Sequence, residues 1–425
     1  MLFNIILKDN FMKQKSGNFV KIKTKNETIS GILMPSKNKK SILKLDSGYN
    51  ISLDDENIKL IEKLSQKETN KNKIIVKQNK NLPKIIILHT GGTLAARVDY
   101  KTGAVSSSFT PEDILDKYPE LKKLAFIESK LVFNLLSENF RFEHYNRLAK
   151  EIEKVKDAKG IIITHGTDTM VYTSSALSFA LEGLSIPVIL VGSQRSSDRP
   201  SSDSFLNLYL AVKFILETDF KDVGICMHSS MNDESCFILP ATKTKKMHST
   251  RRDALKAINT QPIAEISKNN IKFLNKNYNN KKRKLKLKLF KENLKIGILT
   301  THPNMDSSEI SSFKNFDGLI IQGTGIGHIP VEEKNEKILN EIKKLKIPKV
   351  IVTQCIFGNV NLNVYSTGRK TKDYLIGNHL DLTLETAYIK LAWLLSNHPK
   401  EIEKLFNINL RNEINERLIA ENDFL

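Results

Sequence analysis

Apolar positions change their spacing near residue 85. Before that point they alternate with polar ones: Val20 and Ile22, Ile32 and Met34, then Ile42 and the pair Leu43 and Leu45 about Lys44. Alternation of period two marks strands with one buried face. Gly17-Asn18, Pro35-Ser36 and Ser47-Gly48 supply the turns between them. With no helical period in this stretch, residues 1–64 are expected to form a small N-terminal β-barrel domain. The polar, Lys- and Asn-rich run SQKETNKNKIIVKQNKNLPK then reads as a linker over 65–84.

From residue 85 the apolar runs become continuous: KIIILHT, GIIITHGT, PVILVGS, VGICMHS, KIGILTT, GLIIQGT and KVIVTQ. Such strands are buried on both faces, as in a parallel sheet covered by helices. Between them RFEHYNRLAKEIEKVKD places Phe142, Tyr145, Ala149, Ile152 and Val155 on one helical face. FTPEDILDKY begins another helix, with Thr110 as N-cap and Pro111 and Asp113 in its first turn. The fold class expected for this part is α/β with parallel sheets. Open sheets of that kind bind ligands beyond the carboxyl ends of their strands.

A chain of 425 residues, 40% of them hydrophobic, has enough apolar surface for two or three domains with packed cores. Its three cysteines, Cys226, Cys236 and Cys355, lack CxxC spacing. That excludes a disulfide scaffold or zinc ribbon and fits a reducing cytosol. The opening MLFNIILKDNFMKQ has too short an apolar run for a signal peptide, and no stretch reaches transmembrane length. A cytoplasmic protein without membrane contact is the expectation. The net charge of +19 is spread along the chain, so a general lysine bias outweighs a dedicated polyanion site. Its densest segment, KKRKLKLKLFK (281–291), alternates Leu285, Leu287 and Leu289 with Lys286 and Lys288. An edge strand with lysines facing water is favoured there over an RNA-facing ribbon.

Small polar residues collect where the apolar runs end. Thr90-Gly91-Gly92-Thr93 follows the first, His165-Gly166-Thr167-Asp168-Thr169 the second, and Ser193-Gln194-Arg195 the third. In parallel strands these turns converge on one rim. A threonine hydroxyl is a weak nucleophile that needs a base or cation and a shaped turn to expose it. Asp168 adjoins Thr167, and PATKTKKMHSTRRD offers Lys243 inside a Thr-Lys-Thr triplet. Gly323-Thr324-Gly325-Ile326-Gly327 resembles a dinucleotide fingerprint, but no acidic residue ends the next strand, so a tight turn is expected. His89, His165, His228, His302 and His328 lie near strand ends without metal-ligand spacing, and no metal site is assigned.

TGGTLA, HGTDTMVYTSSAL and ATKT together resemble the L-asparaginase family. The resemblance implies a two-subdomain asparaginase-like fold, here 85–290 and 291–425, and a catalytic group of Thr90, Thr167, Asp168 and Lys243. It also implies substrate contacts at Ser137 and Glu138 in LLSENF, where the family has Gln in the second position, and a loop tyrosine at Tyr100. GGTLAARVDYKTGAV, KMHSTRRDA, NVYSTGR and the N-terminal β domain are further similar to the D subunits of archaeal glutamyl-tRNA(Gln) amidotransferases. Such a subunit releases ammonia from glutamine or asparagine for a GatE partner. GatE activates Glu-tRNA(Gln) with ATP, and the two form a D2E2 heterotetramer around a D homodimer. The same resemblance puts ATP and magnesium at the partner, leaves this chain without a cofactor, and brings tRNA(Gln) mainly to the partner. The chain has no GxxxxGK[ST] loop of its own. A stand-alone asparaginase is the alternative. An RNA-binding module on an inactive amidase fold is disfavoured by the full Thr/Thr/Asp/Lys set.

Overall fold

A computed structural model describes residues 16–36, 40–45, 49–64, 78–92, 96–98, 105–107, 114–115, 118–197, 199 and 201–418. Tyr100 and the helix start at Thr110 lie outside the described residues.

The alternating N-terminal segments form five antiparallel strands: Phe19–Thr24, Thr28–Met34, Lys40–Lys44, Asn50–Asp54 and Ile58–Lys63. The last returns to pair with the first, and Asn50–Asp54 and Ile58–Lys63 are the two edges. Val20, Ile22, Leu43 and Ile61 make its small core. Among the described residues the two edges do not pair with each other. The described pairing is that of a five-stranded sheet and does not confirm the small barrel expected from the sequence.

The second unit is built on a sheet of eight strands. Its parallel part runs in the spatial order Val223–His228, Val188–Val191, Gly160–Thr164, Lys84–His89 and Phe126–Leu131. Ser235–Pro240, Ala264–Ser267 and Ile271–Phe273 extend the Val223–His228 side as antiparallel strands. The sheet is thus mixed rather than wholly parallel. The chain leaves Lys84–His89 for Phe126–Leu131 on one side, then returns to Gly160–Thr164 on the other. That reversal is a topological switch point, where connections diverge and leave a crevice.

Helix Phe142–Glu153 buries Phe142, Tyr145, Leu148, Ala149 and Ile152, the three- and four-residue spacing of one face. Val155 lies beyond its end but still packs on the same core. Helices Met170–Ala180 and Leu384–Asn397 are buried nearly all round because they lie between the two subdomains. There Phe179 and Trp393 meet with ring centroids 5.6 Å apart. The C-terminal subdomain carries three parallel strands, Ile296–Thr300, Gly318–Gly323 and Lys349–Thr353. One apolar cluster reaches from Leu148 and Ile163 through Leu177 to Ile320, Val350 and Trp393, so the subdomains share a core.

The basic segment 281–291 holds a two-residue antiparallel strand, Lys286–Leu287, against Leu181–Glu182. Leu285, Leu287 and Leu289 pack toward the core while residues 281–284 and Lys286 are exposed, the arrangement of a charged edge. In the Gly323–Gly327 turn, a side chain on Gly323 would come within 2.4 Å of the Gly327 carbonyl carbon, so the loop closes on itself tightly.

Candidate active site

The switch point brings two turns together. Leu88 pairs with Ile163 and His89 with Thr164, so Thr90 and His165 leave the sheet side by side. The Thr90 N–H and its Oγ1 both donate to the Thr164 carbonyl, at 3.2 and 2.8 Å. The chain then turns away through Gly91 and Gly92, with φ of 110° and 82°. Glycine is required here on two counts. Those angles are left-handed, and a Cβ would lie 2.2 Å from the Leu135 oxygen at Gly91 and 2.7 Å from the Gly166 nitrogen at Gly92. Gly166 is equally confined, since a Cβ there would stand 2.8 Å from Ser137 Oγ. Three glycines thus let Thr90, Ser137 and Thr167 share one small volume.

Thr167 and Asp168 follow, and Thr169 opens helix Met170–Ala180 while its hydroxyl donates to the Ser137 carbonyl at 2.6 Å. The positive end of that helix faces the turn. Lys246 Nζ donates to Thr167 Oγ1 at 2.9 Å and to Asp168 Oδ1 at 2.6 Å. Thr90 and Thr167 are buried, whereas the Asp168 side chain is 71% exposed and marks the mouth.

The lysine in this group is not the one expected. Lys243 donates instead to Asp381 Oδ2 at 2.6 Å, in an ion pair whose side chains are 3% and 2% exposed. Burial lowers the Lys243 pKa, and Asp381 opposes that shift. The reason for the exchange is strand geometry. Thr244–Lys246 pairs with Leu255–Ala257, and successive side chains point to opposite faces. Lys245 therefore reaches Glu385 at 2.7 Å and Lys246 reaches Asp168. The sequence signal for Lys246 was its position at the head of KMHSTRRDA, the segment already set apart by its resemblance.

Ser137 lies within the group; Glu138 is exposed on the wall of an adjoining cavity of about 420 Å³. Phe140, Tyr172 and Tyr388 line this cavity too, but Thr90 and Thr167 do not, so it opens beside the threonines rather than onto them. Burial pushes the pKa of His89 and of His165 down to about 4, so both rings are neutral near pH 7. His165 Nδ1 bonds the Gly166 carbonyl and Nε2 bonds Thr173, each at 2.8 Å. Lys246 is then the cation in contact with the Thr167–Asp168 turn. Among the described residues no group of three or more His, Cys, Asp or Glu could hold a metal ion, and no helix is long and apolar enough to cross a membrane.

Comparisons with known proteins agree with this architecture. Residues 14–64 match the GatD N-terminal domain, 84–279 the N-terminal asparaginase domain, and 295–406 the glutaminase/asparaginase C-terminal domain. The glutamyl-tRNA(Gln) amidotransferase D subunit of Methanococcus maripaludis (strain C7) is 40% identical over 418 residues, covering 95% of this chain and 99% of its own length. The protein of the same name from Pyrococcus abyssi is 39% identical over 432 residues, covering 96% and 97%. Among solved structures, the thermostable L-asparaginase from Thermococcus kodakarensis superposes with a TM-score of 0.70 at 28% identity, over 79% of this chain and all of its own. L-asparaginase I from Vibrio cholerae gives 0.68 at 25% identity, over 79% and 99%. An asparaginase fold preceded by a GatD-type N-terminal domain, with such identity over nearly the whole length, shows that the chain belongs to the GatD family, the D subunits of glutamyl-tRNA(Gln) amidotransferases.

Proposed function

We propose that this chain is the amidase subunit of a tRNA-dependent amidotransferase. It releases ammonia from the side-chain amide of glutamine or asparagine. A GatE partner uses that ammonia, with ATP, to convert Glu-tRNA(Gln) to Gln-tRNA(Gln) in the cytoplasm. Two copies of each subunit make up the assembly, and tRNA contact lies mainly with the partner.

The observation that carries the chemistry is the contact of Lys246 with both Thr167 and Asp168 beside the Thr90 turn. In the proposed reaction Thr90 Oγ bonds to the amide carbon, and its proton passes through Thr167 and Lys246 toward the leaving nitrogen. The C–N bond breaks and ammonia departs; water then cleaves the threonine ester, leaving the carboxylate product and free Thr90. Backbone N–H groups of the glycine turns stabilise the oxyanion. A second reading exchanges the threonines. It is favoured by the direct contact of Thr167 with Lys246, while the Thr90 hydroxyl donates to Thr164.

Thr90→Val, Thr167→Val and Lys246→Met should each lower ammonia release at least about 100-fold without unfolding the protein. Trapping the acyl-enzyme and mapping the modified threonine separates the two readings. Ammonia production with and without GatE and Glu-tRNA(Gln) tests the assignment itself. Full turnover by the isolated chain, unchanged by either addition, would establish a stand-alone asparaginase instead.

A further inference from the structure

Lys243, buried and absent from the catalytic contact, still lies three residues from Lys246. The segment that leads into its strand, 241–243, is held at each step by elements remote in sequence. Ser174 and Ser175 donate to the Ala241 carbonyl at 2.8 and 3.1 Å. Thr242 donates to the Arg411 carbonyl at 3.0 Å, and Thr386 donates to the Thr242 carbonyl at 2.7 Å. Lys243 then meets Asp381, whose carboxylate also accepts from the backbone N–H of Asn415 at 3.0 Å and from its Nδ2 at 2.8 Å. Asn415 Nδ2 also donates to the Asn259 carbonyl at 2.6 Å.

Thr244–Lys246 needs such anchors, because among the described residues its ladder is a two-stranded pairing of three residues, and a two-stranded ribbon is marginal alone. The strand is therefore located by what grips its ends. At one end the grip is Lys246 on Thr167 and Asp168. At the other it is a buried ion pair closed by the C-terminal segment.

We propose that Lys243, Asp381 and Asn415 form a positioning network for Lys246. By fixing the base of the strand, they hold its last lysine within hydrogen-bond reach of Thr167 and Asp168. Lys243 and Asp381 are positioning residues and touch no substrate. The C-terminal subdomain and the following segment thereby contribute to a catalytic group carried wholly by the N-terminal subdomain. This inference rests on the reading of Lys246 as part of the amidase machinery.

Removing Asp381 alone would strand a buried lysine and could simply unfold the chain, so the test uses a paired replacement. Lys243→Met with Asp381→Leu exchanges the ion pair for apolar side chains of similar size, which folded proteins accept. In the full chain, with thermal unfolding as the check on folding, this double variant should lose between about tenfold and 100-fold in kcat for glutamine at nearly unchanged KM. Lys243→Arg keeps a cation on Asp381 and should retain most of the activity. Parental kcat in the folded double variant overturns the network, as does an equal loss in Lys243→Arg. Lys246→Met is measured alongside: if ammonia release survives that change, the reading of the site has failed rather than the network.

Discussion

His165 is neutral where a free histidine would be half protonated, and this makes it a source of acid sensitivity. Its folded pKa of about 4 lies below the ordinary 6.5 because burial disfavours the charged ring, and His89 behaves likewise. Between these values the unfolded chain binds the proton and the folded one does not. Stability is therefore complete above pH 6.5 and falls as pH drops toward 4, by about 1.4 kcal/mol per unit for each ring at most. Urea unfolding from pH 7.5 to 4.5 should show this decline, and His165→Gln should flatten it; an unaltered slope in that variant would clear His165 of the effect. The neutral rings also leave Lys246 as the cation beside Thr167, which suits the proton transfer proposed for this group.

At the scale of elements, the turns that end the strands matter more than the strands. Gly91 and Gly325 both have positive φ, yet they differ in their surroundings. A Cβ on Gly91 would strike the Leu135 carbonyl, whereas one on Gly325 has nothing within 4 Å. Gly91→Ala should cost more than about 2 kcal/mol and disturb the Thr90 turn. Gly325→Asn, at φ 52° and in open space, should cost less than about 1 kcal/mol. Thermal unfolding and ammonia release of the two variants check the contrast; equal stability loss would contradict it. The apolar runs made the strands legible in advance, because burial on both faces leaves a continuous pattern. Closure of the N-terminal sheet was not legible: alternation reports which face is buried, not whether two edges pair.

Over the whole molecule, the C-terminal segment works as a strap. Arg411 Nε donates to the Ser178 carbonyl at 2.9 Å, and Asn415 reaches Asp381 and Asn259. Glu413 and Lys390 form an ion pair with both side chains fully buried, at 2.6 Å. Glu413→Ala leaves that lysine without its charge partner and should destabilise by about 3–5 kcal/mol. Lys390→Met combined with Glu413→Leu should recover most of the loss in urea unfolding. Failure of the pair to recover would mean that Glu413 acts chiefly through the backbone N–H groups of Leu410 and Arg411 that it also accepts.

What the sequence determined by itself was the class of each element and the ends at which chemistry collects. Period-two alternation and continuous apolar runs are local consequences of burial, and Thr90, Thr167 and Asp168 follow directly on such runs. Only the tertiary structure decided which lysine joins them. Lys243, Lys245 and Lys246 are chemically alike and lie within four positions. Their partners Asp381, Glu385 and Asp168 lie 138, 140 and 78 residues away. A strand turns each successive side chain to the opposite face, so register against distant elements, and not residue type, assigns one lysine to the site and another to its support.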